Sequence, residues 1–137
     1  MAEKRPTRPR APYFDKFWEY CNQGEFRVQK CNKCGYLQSP PSPLCSECLS
    51  SDYTWVKMKG TGKIVSHGVF YRQYYPECVP PWPFILVALD EGPWVISNPV
   101  NKDASEADMK MGTPVKLVFV DAEDSRGPFK IPQFEKA

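Results

Sequence analysis

Four of the six cysteines fall as two C-x-x-C pairs, Cys31-Asn32-Lys33-Cys34 and Cys45-Ser46-Glu47-Cys48, with ten residues between them. Each pair can turn as a tight knuckle, and two facing knuckles supply the tetrahedral sulfur set that structural zinc takes. Gly35, directly after the second cysteine, offers the permissive backbone such a knuckle needs. The competing chemistry is a pair of disulfides in an exported protein. No export signal opens the sequence, so reduced thiols and a cytoplasmic location are the expectation. Four thiolates leave no coordination position for water or substrate, so this zinc would hold the fold and not react.

Other reactive side chains form no constellation. Cys21 lies on an apolar helical stripe and reads as a small buried hydrophobe, whereas Cys78 sits in an aromatic, proline-rich loop with no basic partner in its own motif. His67, the only histidine, falls on an expected strand and reads as a barrel histidine, not a general base. Asp90 and Glu91 occupy a turn facing water. Serine-elbow, G-x-G-x-x-G and Walker sequences are lacking, so the chain is expected to have no catalytic residues of its own.

The richest binding candidate is the loop from Tyr71 to Pro83, which holds Arg72, Tyr74, Tyr75 and Trp82 among four prolines. Such a stiff aromatic surface suits an acyl chain, an aromatic ring or a protein partner, and equally a lid over its own barrel.

The elements that must position these groups follow from periodicity. Phe14, Phe17, Trp18 and Cys21 recur at i, i+3, i+4, i+7, the stripe of an amphipathic helix that Gly24 ends. That stripe needs cover, either the protein's own core or a partner. A short strand, Phe26 to Gln29, then enters the first knuckle. Further strands are expected at Thr54 to Lys59 continuing through Lys63 to Tyr71, then Phe84 to Leu89, Trp94 to Ser97, Val115 to Val120 and Phe129 to Pro132. Gly60 and Gly62 would bulge the first of these. Asp90 to Pro93 makes a hairpin turn, and Ser105 to Asp108 opens a short helix that stops by Gly112. Three strands, a helix and two strands is the order of a five-stranded OB-fold barrel, also compatible with an SH3-type barrel. The fold class is therefore mainly β, organised as a disordered basic tail at 1–11, a helix and zinc ribbon at 12–52, and a barrel domain at 53–137.

Composition narrows the function classes. With 137 residues, 42% hydrophobic and 25% charged, the chain supports one core with a small appendage. No apolar run is long enough to span a bilayer, so a membrane role is not expected. Eighteen basic residues nearly matched by sixteen acidic ones argue against a nucleic-acid barrel, although the clustered aromatics keep single-strand binding as a minor alternative.

The ordered chain resembles a family of small OB-fold proteins with an N-terminal rubredoxin-like zinc ribbon, long catalogued as a domain of unknown function and associated with acyl-CoA metabolism. The resemblance is carried by Phe17-Trp18 with Gly24-Glu25, by Cys31-x-x-Cys34-Gly35, and by Pro40-Pro41 with Cys45-x-x-Cys48. Gly60-Thr61-Gly62-Lys63-Ile64, the run from Pro83 to Gly92, Met111 to Val115 and Phe129 to Phe134 extend it. It implies an accessory, zinc-binding subunit of a hetero-oligomer, working with thiolases, thiolase-like acyl-CoA aldolases or hydratase domains. Zinc would be held by Cys31, Cys34, Cys45 and Cys48, while Phe14, Phe17 and Trp18 would meet the partner. Tyr74, Tyr75 and Trp82 would line the acyl or partner surface, with Arg72 and Lys63 near a CoA phosphate. The reaction itself, cleavage or condensation of an acyl-CoA, would belong to the partner. A free-standing acyl-CoA carrier is the alternative.

Overall fold

The computed structural model describes residues 2–137. The helix α1 covers Pro12–Asn22, beginning with a proline where no backbone donor is needed and followed by Gly24 at φ 79°. The ribbon sheet has the order β3-β2-β4, with β2 at Arg27–Cys31, β3 at Leu37–Gln38 and β4 at Tyr53–Lys57. All ladders in it are antiparallel.

The barrel strands are β5 (Thr61–Phe70), β6 (Trp82–Leu89), β7 (Trp94–Ser97), β8 (Pro114–Asp124) and β9 (Gly127–Lys136). Strand β8 pairs with β5 and β9, β5 with β6, and β6 with β7. Among the described residues β7 and β9 form no ladder; they are linked by Ser97 Oγ donating to Pro132 O and, just past β7, by the parallel bridge Pro99–Phe134 with Phe134 N donating to Asn98 O and Val100 N to Phe134 O. The period-two alternation of β6 is complete, with Pro83, Ile85, Val87 and Leu89 all inward.

Several expectations change. The long first strand is two strands: Tyr53–Lys57 completes the ribbon sheet, and Gly60 at φ 87° redirects the chain into β5. The chain leaves the ribbon sheet for the barrel sheet at Met58–Gly60. The bulge falls between Ile64 and Ser66, not at the glycines. Gly62 serves instead a close approach, since a Cβ there would lie 2.3 Å from Ala88 O. The short helix is replaced by turns: Ser105 and Asp108 exchange the capping-box hydrogen bonds, but only Met109 of that stretch is buried in the core, too little to sustain a helix.

The described part of the basic tail makes specific contacts with the barrel. Glu3–Lys4 forms β1, parallel to β8 beside Ala122 and Glu123. Arg8 reaches Asp124 and stacks 3.9 Å over the ring of Phe129. Lys4, Arg5 and Arg8 of the tail thus find anionic or aromatic partners on the barrel.

Ribbon and barrel share one core, in which Phe26 and Val28 pack with Met58, Ile64, Ile85, Val87 and Phe134. Among the described residues no helix is long and apolar enough to cross a membrane.

Candidate metal centre and aromatic cleft

The first knuckle hangs between β2 and β3, and the second in the loop that leads to β4. Cys31 N donates to Tyr36 O and Gly35 N to Cys31 O, while Leu49 N donates to Cys45 O in the second turn. Gly35 and Leu49, each just after the second cysteine of its pair, both sit in the left-handed region at φ 81° and 64°. The glycine was legible in sequence; its non-glycine counterpart was not.

The four sulfurs lie within 4.8 Å of one another. The closest pairs cross between knuckles, Cys31 to Cys48 at 3.5 Å and Cys34 to Cys45 at 3.6 Å. These separations are too long for disulfides, and all six cysteines are free. They fit a metal ion: zinc–sulfur bonds of about 2.3 Å in a tetrahedron place sulfurs about 3.8 Å apart. Cys31 is held down to about 6, first by the amide of Cys34 at 3.4 Å from its sulfur. Cys34 and Cys48 of the same cluster are raised, so the low value belongs to Cys31 and not to the site as a whole.

Burial pushes Cys21 up to about 12, in keeping with its reading as a core hydrophobe. Burial likewise raises Cys78, which removes it as a ready nucleophile. Glu91 and Asp90 do more than face water: Lys59 N donates to Glu91 Oε2 and Thr61 Oγ1 to Asp90 Oδ2, tying the hairpin to the start of β5.

The aromatic loop builds a cleft of about 440 Å³ lined by Arg72, Tyr74, Tyr75 and Trp82 together with Arg5 and Phe70. Tyr74 and Tyr75 remain 64% and 55% exposed, so the loop is not simply a lid on its own barrel. Arg72 lies 5.6 Å over Tyr74, and Arg5 and Lys102 lie 5.0 and 5.1 Å over Trp82. Burial lowers both Arg5 and Lys102, and Glu3 opposes that shift from 3.1 and 3.2 Å. Neither Arg5 nor Lys102 was foreseen, because the tail and the 101–112 turns meet Trp82 only in three dimensions. Lys63 stands apart at the far end of β5, about 20 Å of strand from Phe70. It does not join Arg72.

Helix α1 spends much of its stripe on its own protein. Phe17 packs edge-on against Phe26 at 5.6 Å, and Trp18 against Phe129 at 5.2 Å. Phe14, Phe17 and Trp18 also edge an apolar hollow of about 400 Å³ with Pro41, Ile96 and Pro132. Of the two covers the sequence left open, the protein's own core takes Phe17 and Trp18, and the hollow keeps one apolar face of the helix in contact with solvent.

Comparison with known proteins agrees with this architecture. Residues 18–54 match the ChsH2 rubredoxin-like zinc ribbon domain, and residues 55–120 the ChsH2 C-terminal OB-fold domain. A probable enoyl-CoA hydratase alpha subunit of Thermomonospora curvata is 32% identical over 128 residues, 90% of this chain. The chain spans only 40% of that relative's length. A DUF35 domain-containing scaffold protein of Pyrococcus furiosus is 27% identical over 110 residues, 75% of either protein. Among solved structures, a chain of the Ltp2-ChsH2(DUF35) aldolase superposes with TM-score 0.78 at 28% identity, covering 94% of this chain and 98% of that one. A DUF35 protein of unknown function from Sulfolobus solfataricus shares the fold, with TM-score 0.60 at 14% identity over 93% of this chain and 87% of that one.

Proposed function

The chain belongs to the ChsH2 family, a rubredoxin-like zinc ribbon followed by an OB-fold domain, and from that premise we propose that it is a non-catalytic subunit of a thiolase-type acyl-CoA complex. In this reading the ribbon holds a structural zinc on Cys31, Cys34, Cys45 and Cys48, and the chain stabilises a thiolase-like catalytic partner. The cleft of Arg72, Tyr74, Tyr75 and Trp82, widened here to include Arg5, helps form the acyl-CoA pocket. Phe14 and the exposed side of Phe17 and Trp18 meet the partner. Lys63 is not part of the pocket.

The observation that carries the reading is the near end-to-end superposition on a chain of the Ltp2-ChsH2(DUF35) aldolase. The closed four-sulfur site supports it, because such a site leaves a bound metal no open position for substrate. A second reading, a hydratase partner, is favoured by the 32% identity to the hydratase alpha subunit.

The test is affinity capture of the full chain from its native extract, with acyl-CoA cleavage and hydration assays on whatever co-purifies in stoichiometric amount. A thiolase-like chain active only when this protein is present supports the first reading. A hydratase chain supports the second. A free monomer that binds acyl-CoA by itself overturns both in favour of a carrier.

A further inference from the structure

After β3 the stretch to the second knuckle contains Pro40, Pro41 and Pro43 and continues no sheet ladder. Its backbone nonetheless leads into the second knuckle, and its polar groups need partners. Two buried glutamines meet them. Gln29 and Gln38, 2% and 8% exposed, face each other across β2 and β3. Gln29 Nε2 donates to Ser42 O at 2.9 Å, and its Oε1 accepts from Ser42 N at 2.8 Å, so one side-chain amide takes the place of a neighbouring strand. Gln38 Nε2 donates to Leu44 O at 3.0 Å and to Gln29 Oε1 at 3.2 Å, and its Oε1 accepts from Ser46 N at 2.8 Å.

Leu44 and Ser46 bracket Cys45 in sequence. The Gln38 amide therefore grips the peptide groups on both sides of a metal-ligating cysteine, and Gln29 fixes Gln38. We infer that Gln29 and Gln38 are positioning residues for the metal centre: a paired amide cradle that holds the second knuckle at the spacing the four sulfurs need. An apolar replacement takes away the partners that hold the peptide groups of Ser42, Leu44 and Ser46, and frees the loop to move away from β2 and β3 and take Cys45 with it. Groups that orient metal ligands from behind typically govern affinity by about 10- to 100-fold. This inference rests on the four-cysteine site and not on any partner or substrate.

The experiment uses full-length, zinc-loaded protein and a chromogenic chelator to time metal release, with Gln29→Met and Gln38→Met against the parent. Gln133→Met is the control, because Gln133 is as buried as Gln29 but lies in β9 and donates to Glu3. The expected result is release about 10- to 100-fold faster for both ribbon variants and unchanged for the control. Cobalt-substituted protein should show displaced ligand-field bands in the ribbon variants only. Gln38→Asn, which keeps a neutral amide one methylene shorter, should fall between, and it serves as the test if a methionine variant does not fold. Parental release rates and cobalt spectra in the folded ribbon variants overturn the inference. So does equal acceleration in Gln133→Met, which would mark a general loss of stability. Failure of the four cysteines to bind zinc at all would show in the parent and is thereby distinguished.

Discussion

The guanidinium of Arg8 and the carboxylate of Asp124 meet as a two-pronged pair, Nε to Oδ2 at 2.7 Å and Nη2 to Oδ1 at 3.3 Å, with no solvent reaching the carboxylate. The amides of Arg8 and Arg126 donate to the same carboxylate. The pair anchors residues that composition alone would leave loose. Arg8→Ala strands a buried charge, so equilibrium unfolding should show a loss of about 3 kcal/mol. An unchanged denaturation midpoint would mean the tail contributes nothing to the fold.

The same pair sets an acid limit. The hydrogen bond from Arg8 holds Asp124 down at about 2, against an ordinary value of 3.8. A carboxyl depressed in the folded state stabilises fully above its unfolded value and loses that contribution as pH falls from there through about 2. Stability measured between pH 5 and 2 should therefore fall less steeply in Asp124→Asn, which starts lower, than in the parent.

Cys34→Ser should abolish stoichiometric zinc and unfold the ribbon, read by metal analysis and by loss of protection at the β2 amides. Full metal content in that variant would remove the four-sulfur site.

Leu49 is 71% exposed and holds a left-handed backbone that glycine adopts freely. Leu49→Gly should raise the stability of the zinc-loaded protein by up to about 1 kcal/mol, since the relief of strain exceeds the added entropy of the unfolded chain. A drop in thermal midpoint would instead assign the leucine side chain a packing role.

Within the proposed complex, Trp82→Ala and Arg72→Ala should weaken acyl-CoA binding about tenfold or more without altering zinc content, whereas Lys63→Ala should leave it unchanged. Titration of the purified complex with a CoA ester reads this directly, and a Lys63 effect equal to that of Arg72 would reject the cleft.

What could be read from the sequence was local. Cysteine spacing, the helical stripe ending at Gly24 and the strand at Phe84 to Leu89 each reside within eighteen residues, and each holds in the structure. What could not be read was pairing across distance. Arg8 meets Asp124 across 116 positions, and Arg5 and Lys102 converge on Trp82 from opposite sides of it in sequence. A proline-rich basic stretch looks disordered when its partners are unknown. The expected helix at Ser105 failed for the opposite reason: its local cap is present, but no apolar face follows for the barrel to bury.

Phe26 belongs to the ribbon by sequence and to the barrel by packing, and Met58 N donates to its carbonyl at 2.8 Å. The two halves are therefore poor candidates for exchange by recombination. A cut at the seam would open a void where the ring had been, at a cost of about 3–5 kcal/mol for the aromatic alone, so a ribbon grafted onto a foreign barrel must bring a matching pocket for Phe26 with it.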